Sequence, residues 1–195
     1  MNKAALRLET ATLLARYETE PTHTLHVAKL ALDLFDQLIA WHGYGPDERL
    51  LLEAAASLHD IGWSLTQPEG AGHHKASAKL IREHVWSGLT AREVELIALI
   101  ARYHRKALPS DGHAPYVGLN EPDRRRVRRL AALLRVADGL DRRHIREVDG
   151  VRAEIGADEI SIIVQARLAP SAAIAGAERK ADLLRLESGR RVQFR

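Results

Sequence analysis

The sequence predicts a mostly α-helical protein, with a helical body over residues 1–146 and a small α+β subdomain (hairpin, helix, strand) over residues 147–195 packed on it. Three observations carry this expectation. From Ala4 to Asp138, apolar residues recur at helical spacing in one segment after another, separated by breaks containing Pro and Gly. From Glu147 the composition shifts: residues 148–155 and 159–167 are enriched in β-branched side chains and partly alternate around Gly156-Ala157-Asp158, a hairpin signature. Finally, 195 residues with 46% apolar and 28% charged side chains suffice to bury a core without cross-links. There is no cysteine, which excludes disulfides, thiolate metal sites and cysteine nucleophiles.

Taken in order, Ala4 to Tyr17 reads as an amphipathic helix, broken by Glu20-Pro21-Thr22. A second helix is expected from about His23 to Trp41. Leu25, Val27, Leu30, Ala31, Leu34, Phe35 and Leu38 form its buried stripe, and His23 and His26 stand three residues apart in its first turn. A loop over residues 42–46 leads to Asp47, read as the cap of a third helix. That helix is apolar almost all round through Leu51, Leu52, Ala54, Ala55, Ala56 and Leu58, hence buried, and it runs into His59-Asp60-Ile61-Gly62, with Gly62 marking its end.

A histidine followed by a carboxylate at the end of a buried helix demands a partner. An unpaired buried carboxylate costs several kcal/mol or is neutralised, so Asp60 needs a cation, and the adjacent imidazole suggests a metal ion. The alternative is a local His-Asp capping pair. After a turn at Gln67-Pro68-Glu69-Gly70, Gly72-His73-His74-Lys75 opens an amphipathic helix through Ala78, Leu80 and Ile81, and the paired histidines can face one cleft or solvent. Thr90 caps the next helix, whose apolar run Val94, Leu96, Ile97, Leu99, Ile100 and Ala101 ends in Arg102-Tyr103-His104-Arg105-Lys106. Such a cluster suits a phosphate or, more simply, complements the helix dipole. Residues 108–121 form a loop, either a lid or a connection. A helix starting at Asp123 then reaches Asp138; its early arginines read as a solvated face, and the lack of interleaved aromatics argues against nucleic acid. Ala172 to Leu186 reads as a helix stopped by Gly189, with residues 191–194 a third strand beside the hairpin. No leader or membrane-spanning stretch is visible, so a cytoplasmic address and no membrane partner are expected.

Three segments in order, His23-Thr24-Leu25-His26-Val27-Ala28-Lys29-Leu30-Ala31, His59-Asp60-Ile61-Gly62 and Val136-Ala137-Asp138-Gly139-Leu140-Asp141, resemble the H…HD…D signature of the HD-domain metal-dependent phosphohydrolase superfamily. The resemblance implies an HD-type helical bundle with His23, His59, Asp60 and Asp138 as metal ligands. From about His23 onward the chain is also similar to the C-terminal region of the exopolyphosphatase and guanosine pentaphosphatase (Ppx/GppA) family. The similarity runs through Leu32-Asp33-Leu34-Phe35, the His59 doublet, His73-His74-Lys75-Ala76-Ser77, residues 101–106 and Leu140-Asp141-Arg142. Ala76 stands where that family usually has a second histidine. The family's polyphosphate hydrolysis is attributed to two actin-like domains preceding this region, for which 195 residues leave no room.

A set of imidazoles and carboxylates suits one or two divalent ions among Mn²⁺, Fe²⁺, Mg²⁺ and Zn²⁺. Asp60 is placed to bridge two ions, with His73 or His74 and His104 as ligands of the second, and Asp60 and His104 are the expected catalytic pair. Lys75, Arg102, Arg105, Lys106 and Arg142 are expected to neutralise phosphate. The reading is a metal-dependent phosphohydrolase of a nucleotide or another polyphosphorylated anion. Its alternative is a non-catalytic module that binds polyphosphate or an alarmone. The buried-looking helices leave a homodimer face as open as a monomer core.

Overall fold

The computed structural model describes residues 2–66 and 70–195. The turn expected at 67–70 therefore lies, for residues 67–69, outside the described residues. Helix α1 (Lys3–Tyr17) is capped by Asn2, whose side chain accepts from the Ala5 amide. Helix α2 (Pro21–Gln37) starts on Pro21 itself, because proline at the first helical position sacrifices no hydrogen bond. After a one-residue interruption the chain continues as α3 (Ile39–His42). The buried stripe of α2 follows expectation except at Leu25, which is 54% exposed on the opposite face. In α4 (Pro46–Ser57) the cap is Gly45, not Asp47. The Gly45 amide donates to Glu48 Oε2, and Asp47 sits within the first turn, where its charge still favours the helix dipole.

Beyond α4 come the short α5 (Trp63–Thr66), then α6 (His73–Glu83) and α7 (Ala91–Arg102). Thr90 and Glu93 form the reciprocal capping box of α7. Residues 108–121 contain one helical turn, α8 (Ala114–Val117). Helix α9 (Glu121–Leu140) starts two residues before the expected Asp123 and is capped by Asn120, and Asp123 is buried between Arg92 and Arg126. Of its early arginines Arg125 is exposed as expected, but the others are not a solvated face. Arg126 pairs with Glu48, Arg128 with Glu121 and Glu187, and Arg124 and Arg129 reach backbone carbonyls, so four of them tie α9 to its neighbours.

Strands β1 (Val148–Ile155) and β2 (Glu159–Ala166) form the antiparallel hairpin, with Ile155 opposite Ile160. The helix expected over 172–186 is two, α10 (Ser171–Lys180) and α11 (Asp182–Ser188), broken at Ala181. Gly189, at φ 64, takes the left-handed conformation that ends α11 without steric cost. Strand β3 (Arg191–Phe194) then pairs parallel to β2.

Helix α9 is the axis of the molecule, its residues from Leu130 to Leu140 almost all buried against α2, α4, α7, α10 and α11. Buried apolar side chains from both ends of the chain, Leu6, Leu34, Leu134, Ile160 and Leu183 among them, belong to one core. Where α9 meets α10 the backbones touch: a Cβ on Gly176 would stand 2.2 Å from the Gly139 carbonyl oxygen. Among the described residues, no helix is long and apolar enough to cross a membrane.

Candidate metal centre

Three helix C-terminal ends and the first turns of α2 and α6 meet at one point. His59 and Asp60 follow α4 in the bend after Ser57, His73 opens α6, His104 follows α7, Asp138 lies in the last turn of α9, and His23 lies in the first turn of α2. All six are buried. Three of the histidines are seated the same way. His59, His73 and His104 each turn Nδ1 back to the carbonyl three residues earlier, on Ala56 (2.7 Å), Gly70 (2.8 Å) and Ala101 (2.7 Å). His23 Nδ1 does the same with Asp141 Oδ2 at 2.8 Å. A carbonyl or carboxylate accepts only, so Nδ1 carries the proton and Nε2 presents its lone pair inward.

Those four Nε2 atoms surround Asp60. Oδ1 faces His73 at 3.2 Å and His104 at 3.4 Å, while Oδ2 faces His59 at 3.6 Å and His23 at 3.9 Å. Asp138 Oδ1 is 3.9 Å from His23 Nε2. The ligand atoms fall into two groups, His23 with His59 and Asp138, and Asp60 with His73 and His104, each group within 4.8 Å. Most of these separations exceed hydrogen-bond length. They suit a shared ion, because ligands of a tetrahedral ion with bonds of about 2.1 Å stand about 3.4 Å apart. His23 Nε2, His59 Nε2 and Asp60 Oδ1 are buried with no hydrogen-bond partner among the described residues. Orphaned buried acceptors of this kind are rare and call for an explanation. The residues fit a divalent cation.

Electrostatics agree with this arrangement. Burial pushes His59 down to about 4 and His104 well below its ordinary value, so both are neutral imidazoles at pH 7. Burial raises the Asp60 carboxyl, but His59, His73 and His104 outweigh that and hold it well below the usual range, as a carboxylate. Burial also lowers His26, His42 and His74, the last to about 4. A histidine whose folded pKa is depressed contributes stability above its unfolded pKa of about 6.5 and loses it as pH falls toward the folded value. The melting temperature of the metal-free protein is therefore expected to fall steadily between about pH 6.5 and pH 4, as scanning fluorimetry in chelator would show; a flat profile would contradict the neutral assignments.

Other groups line the centre. Lys180 Nζ donates to Asp138 Oδ2, and burial pushes this ammonium down to about 7 against the pull of Asp60. Arg105 Nη1 donates to His73 Nε2 at 3.0 Å. Trp63 stacks on His73 with centroids 4.6 Å apart, and His144, at φ 57, stacks on His23 at 3.6 Å. Arg105 and Arg142 open onto a cavity of about 310 Å³ beside Asp60 and Asp138. His74, one helical step of about 100° from His73, points instead into a neighbouring basic cavity of about 420 Å³ with Lys75, Arg102 and Lys106, and Arg105 lines both.

The sequence reading missed Asp141, Lys180, His144 and Trp63. Asp141 had a signal, since it lies one turn after Asp138; Lys180 had none, in a helix remote from every histidine motif. Because Asp141 orients His23 and also accepts from the Arg146 amide at 2.7 Å, Asp141→Asn is expected to weaken Mn²⁺ binding about 10- to 100-fold. Calorimetry measures this, with far-UV circular dichroism unchanged; unaltered affinity would show that His23 needs no orienting partner.

An α-helical domain with a small C-terminal sheet and a buried His/Asp cluster between its helix ends is the class that fold and site define. Residues 6–168 match the profile of the Ppx/GppA phosphatase family, domain III, and the chain belongs to that family. It is 28% identical over 183 residues to a guanosine-5'-triphosphate,3'-diphosphate pyrophosphatase of Vibrio vulnificus (strain YJ016), an alignment covering 92% of this chain and 34% of that protein. The chain thus spans about a third of that relative's length.

Proposed function

We propose that this chain is an HD-type, divalent-metal-dependent phosphohydrolase domain acting on a nucleotide or another polyphosphorylated anion, with residues 1–146 as the catalytic body. The observation that carries this reading is the convergence of four Nε2 lone pairs on the two oxygens of one buried carboxylate, with three of these six atoms lacking a hydrogen-bond partner among the described residues. His23, His59 and Asp138 would hold one ion, His73 and His104 a second, with Asp60 shared between them. One or two of Mn²⁺, Fe²⁺, Mg²⁺ or Zn²⁺ bound there supply a Lewis acid and lower the pKa of a bound water. The chain's own residues do the rest. Arg105 and Arg142 at the cavity mouth neutralise phosphate oxygens, Arg105 once its donors leave His73. Trp63 and His144 wall the centre and keep bulk water from the imidazoles.

The pyrophosphatase and phosphatase names of its relatives support a phosphoanhydride or phosphoester substrate. A second reading, a polyanion-binding regulatory module, is favoured by the separate basic cavity of Lys75, Arg102 and Lys106. Purification without chelator, metal analysis and a screen of phosphate release from nucleotides and short polyphosphates with added Mn²⁺ decide between them. Turnover that depends on Mn²⁺ and on His59 is the expected result. Bound metal without turnover on any substrate would favour the binding module, and absence of metal would overturn the proposal.

A further inference from the structure

Lys180 is the last residue of α10, beyond residues 6–168 that match the family. Its side chain is only 14% exposed, and its ammonium donates to Asp138, the carboxylate of the His23 group. A lysine rarely gives up hydration this far unless it is paired. The backbone dictates the placement. Gly176 lies one turn before Lys180 on the same face of α10, and Gly139 directly follows Asp138 on α9. The two glycines touch: a Cβ on Gly139 would stand 2.8 Å from Ala177 Cα. The helices therefore cross closely enough to deliver the end of α10 to Asp138.

The charges then matter. Asp60 and Asp138 bring two buried carboxylates to the centre. Lys180 holds Asp138 Oδ2 while Oδ1 faces His23, so an ion beside His23 and His59 would lie on the same carboxylate as the ammonium. Two cations held on one largely buried carboxylate repel each other. We propose that Lys180 is the built-in counter-ion of this centre: it holds Asp138 in the metal-free chain, and an ion reaches the His23, His59 and Asp138 position only by displacing it. Lys180 thereby sets how tightly that ion is held and ties metal loading to the C-terminal helix. This rests on the metal-binding reading above and goes beyond it, since a purely structural lysine would leave ion affinity untouched.

The test uses the full chain stripped with chelator. Lys180→Met keeps the length and apolar stem but removes the charge; Lys180→Arg keeps the charge. Mn²⁺ titration by calorimetry is expected to show the first ion bound at least about tenfold more tightly by Lys180→Met than by wild type, as removal of a competing cation requires. Its metal-free melting temperature should be lower and its rise on adding Mn²⁺ larger, with Lys180→Arg close to wild type. In the wild-type chain, amine labelling read by mass spectrometry should increase at Lys180 when Mn²⁺ is present, a measurement that holds even if Lys180→Met folds poorly. Unchanged or weaker Mn²⁺ binding by folded Lys180→Met, or equal labelling with and without Mn²⁺, would overturn the proposal while leaving the metal centre standing. Failure of both wild type and Lys180→Met to bind Mn²⁺ would remove the metal reading and this inference together. Binding by Lys180→Met alone would support the inference in its strongest form.

Discussion

Replacing Asp60 with alanine is expected to abolish both ion positions at once. Its two oxygens each face a different pair of imidazoles, Oδ1 toward His73 and His104 and Oδ2 toward His23 and His59, so neither group keeps its anionic bridge. Loss of a single orienting partner outside the ligand shell already costs about 10- to 100-fold in affinity, and loss of the shared ligand should exceed that. Metal analysis should find Asp60→Ala with far less than one ion per chain, and Mn²⁺-dependent phosphate release at background. The fold should persist, because the local backbone is set by bonds the substitution spares, including the Trp63 amide to the Asp60 carbonyl at 2.9 Å. A variant that kept one ion at wild-type affinity would show that Asp60 serves one group only.

Gly62→Ala is expected to be among the most destabilising single-atom additions in the chain. A Cβ there would stand 2.3 Å from the His73 carbonyl oxygen, 2.4 Å from the Ser77 amide nitrogen and 2.8 Å from Ala76 Cβ. Two of these are backbone atoms of α6, so the helix must move rather than a side chain. Overpacking of this kind costs about 1–3 kcal/mol, and the upper end is expected because the Gly62 amide also loses its bond to Ser77 Oγ, now 2.9 Å. Since α6 carries His73, Mn²⁺ binding at the proposed second position should weaken as well. Urea denaturation and Mn²⁺ titration check both effects. Gly45→Ala, with nothing within 4 Å of its added Cβ, is the control and should cost less than about 1 kcal/mol. Equal losses in the two variants would refute the close-approach argument.

Gly62 also shows how far a sequence can be read. Its place after an apolar helix suggested a helix stop, yet α4 already ends at Ser57, and the glycine is there so that another helix can pass. Similar shifts occur at Asp47, read as a cap, and at Asp123, read as a helix start. One lies inside its first turn, and the other is buried by Arg92 and Arg126. The arginines of α9 looked like a solvated face because their carboxylate partners, Glu48 and Glu187, lie 78 and 59 residues away. The histidines were more legible. His23, His59, His73, His104 and the carboxylates Asp60 and Asp138 each sit at the start or end of a helix with a buried apolar face, a contrast visible without coordinates.

Helices, hairpin and the polar residues that interrupt buried helix ends were determined by the sequence itself, because backbone hydrogen bonding and side-chain periodicity act over a few residues. Only the tertiary structure decided that His73 rather than its neighbour turns to Asp60, that Asp141 orients His23, and that Lys180 meets Asp138 from 42 residues away. Ion pairs and close backbone crossings depend on which surfaces fold together, and no local pattern encodes that choice.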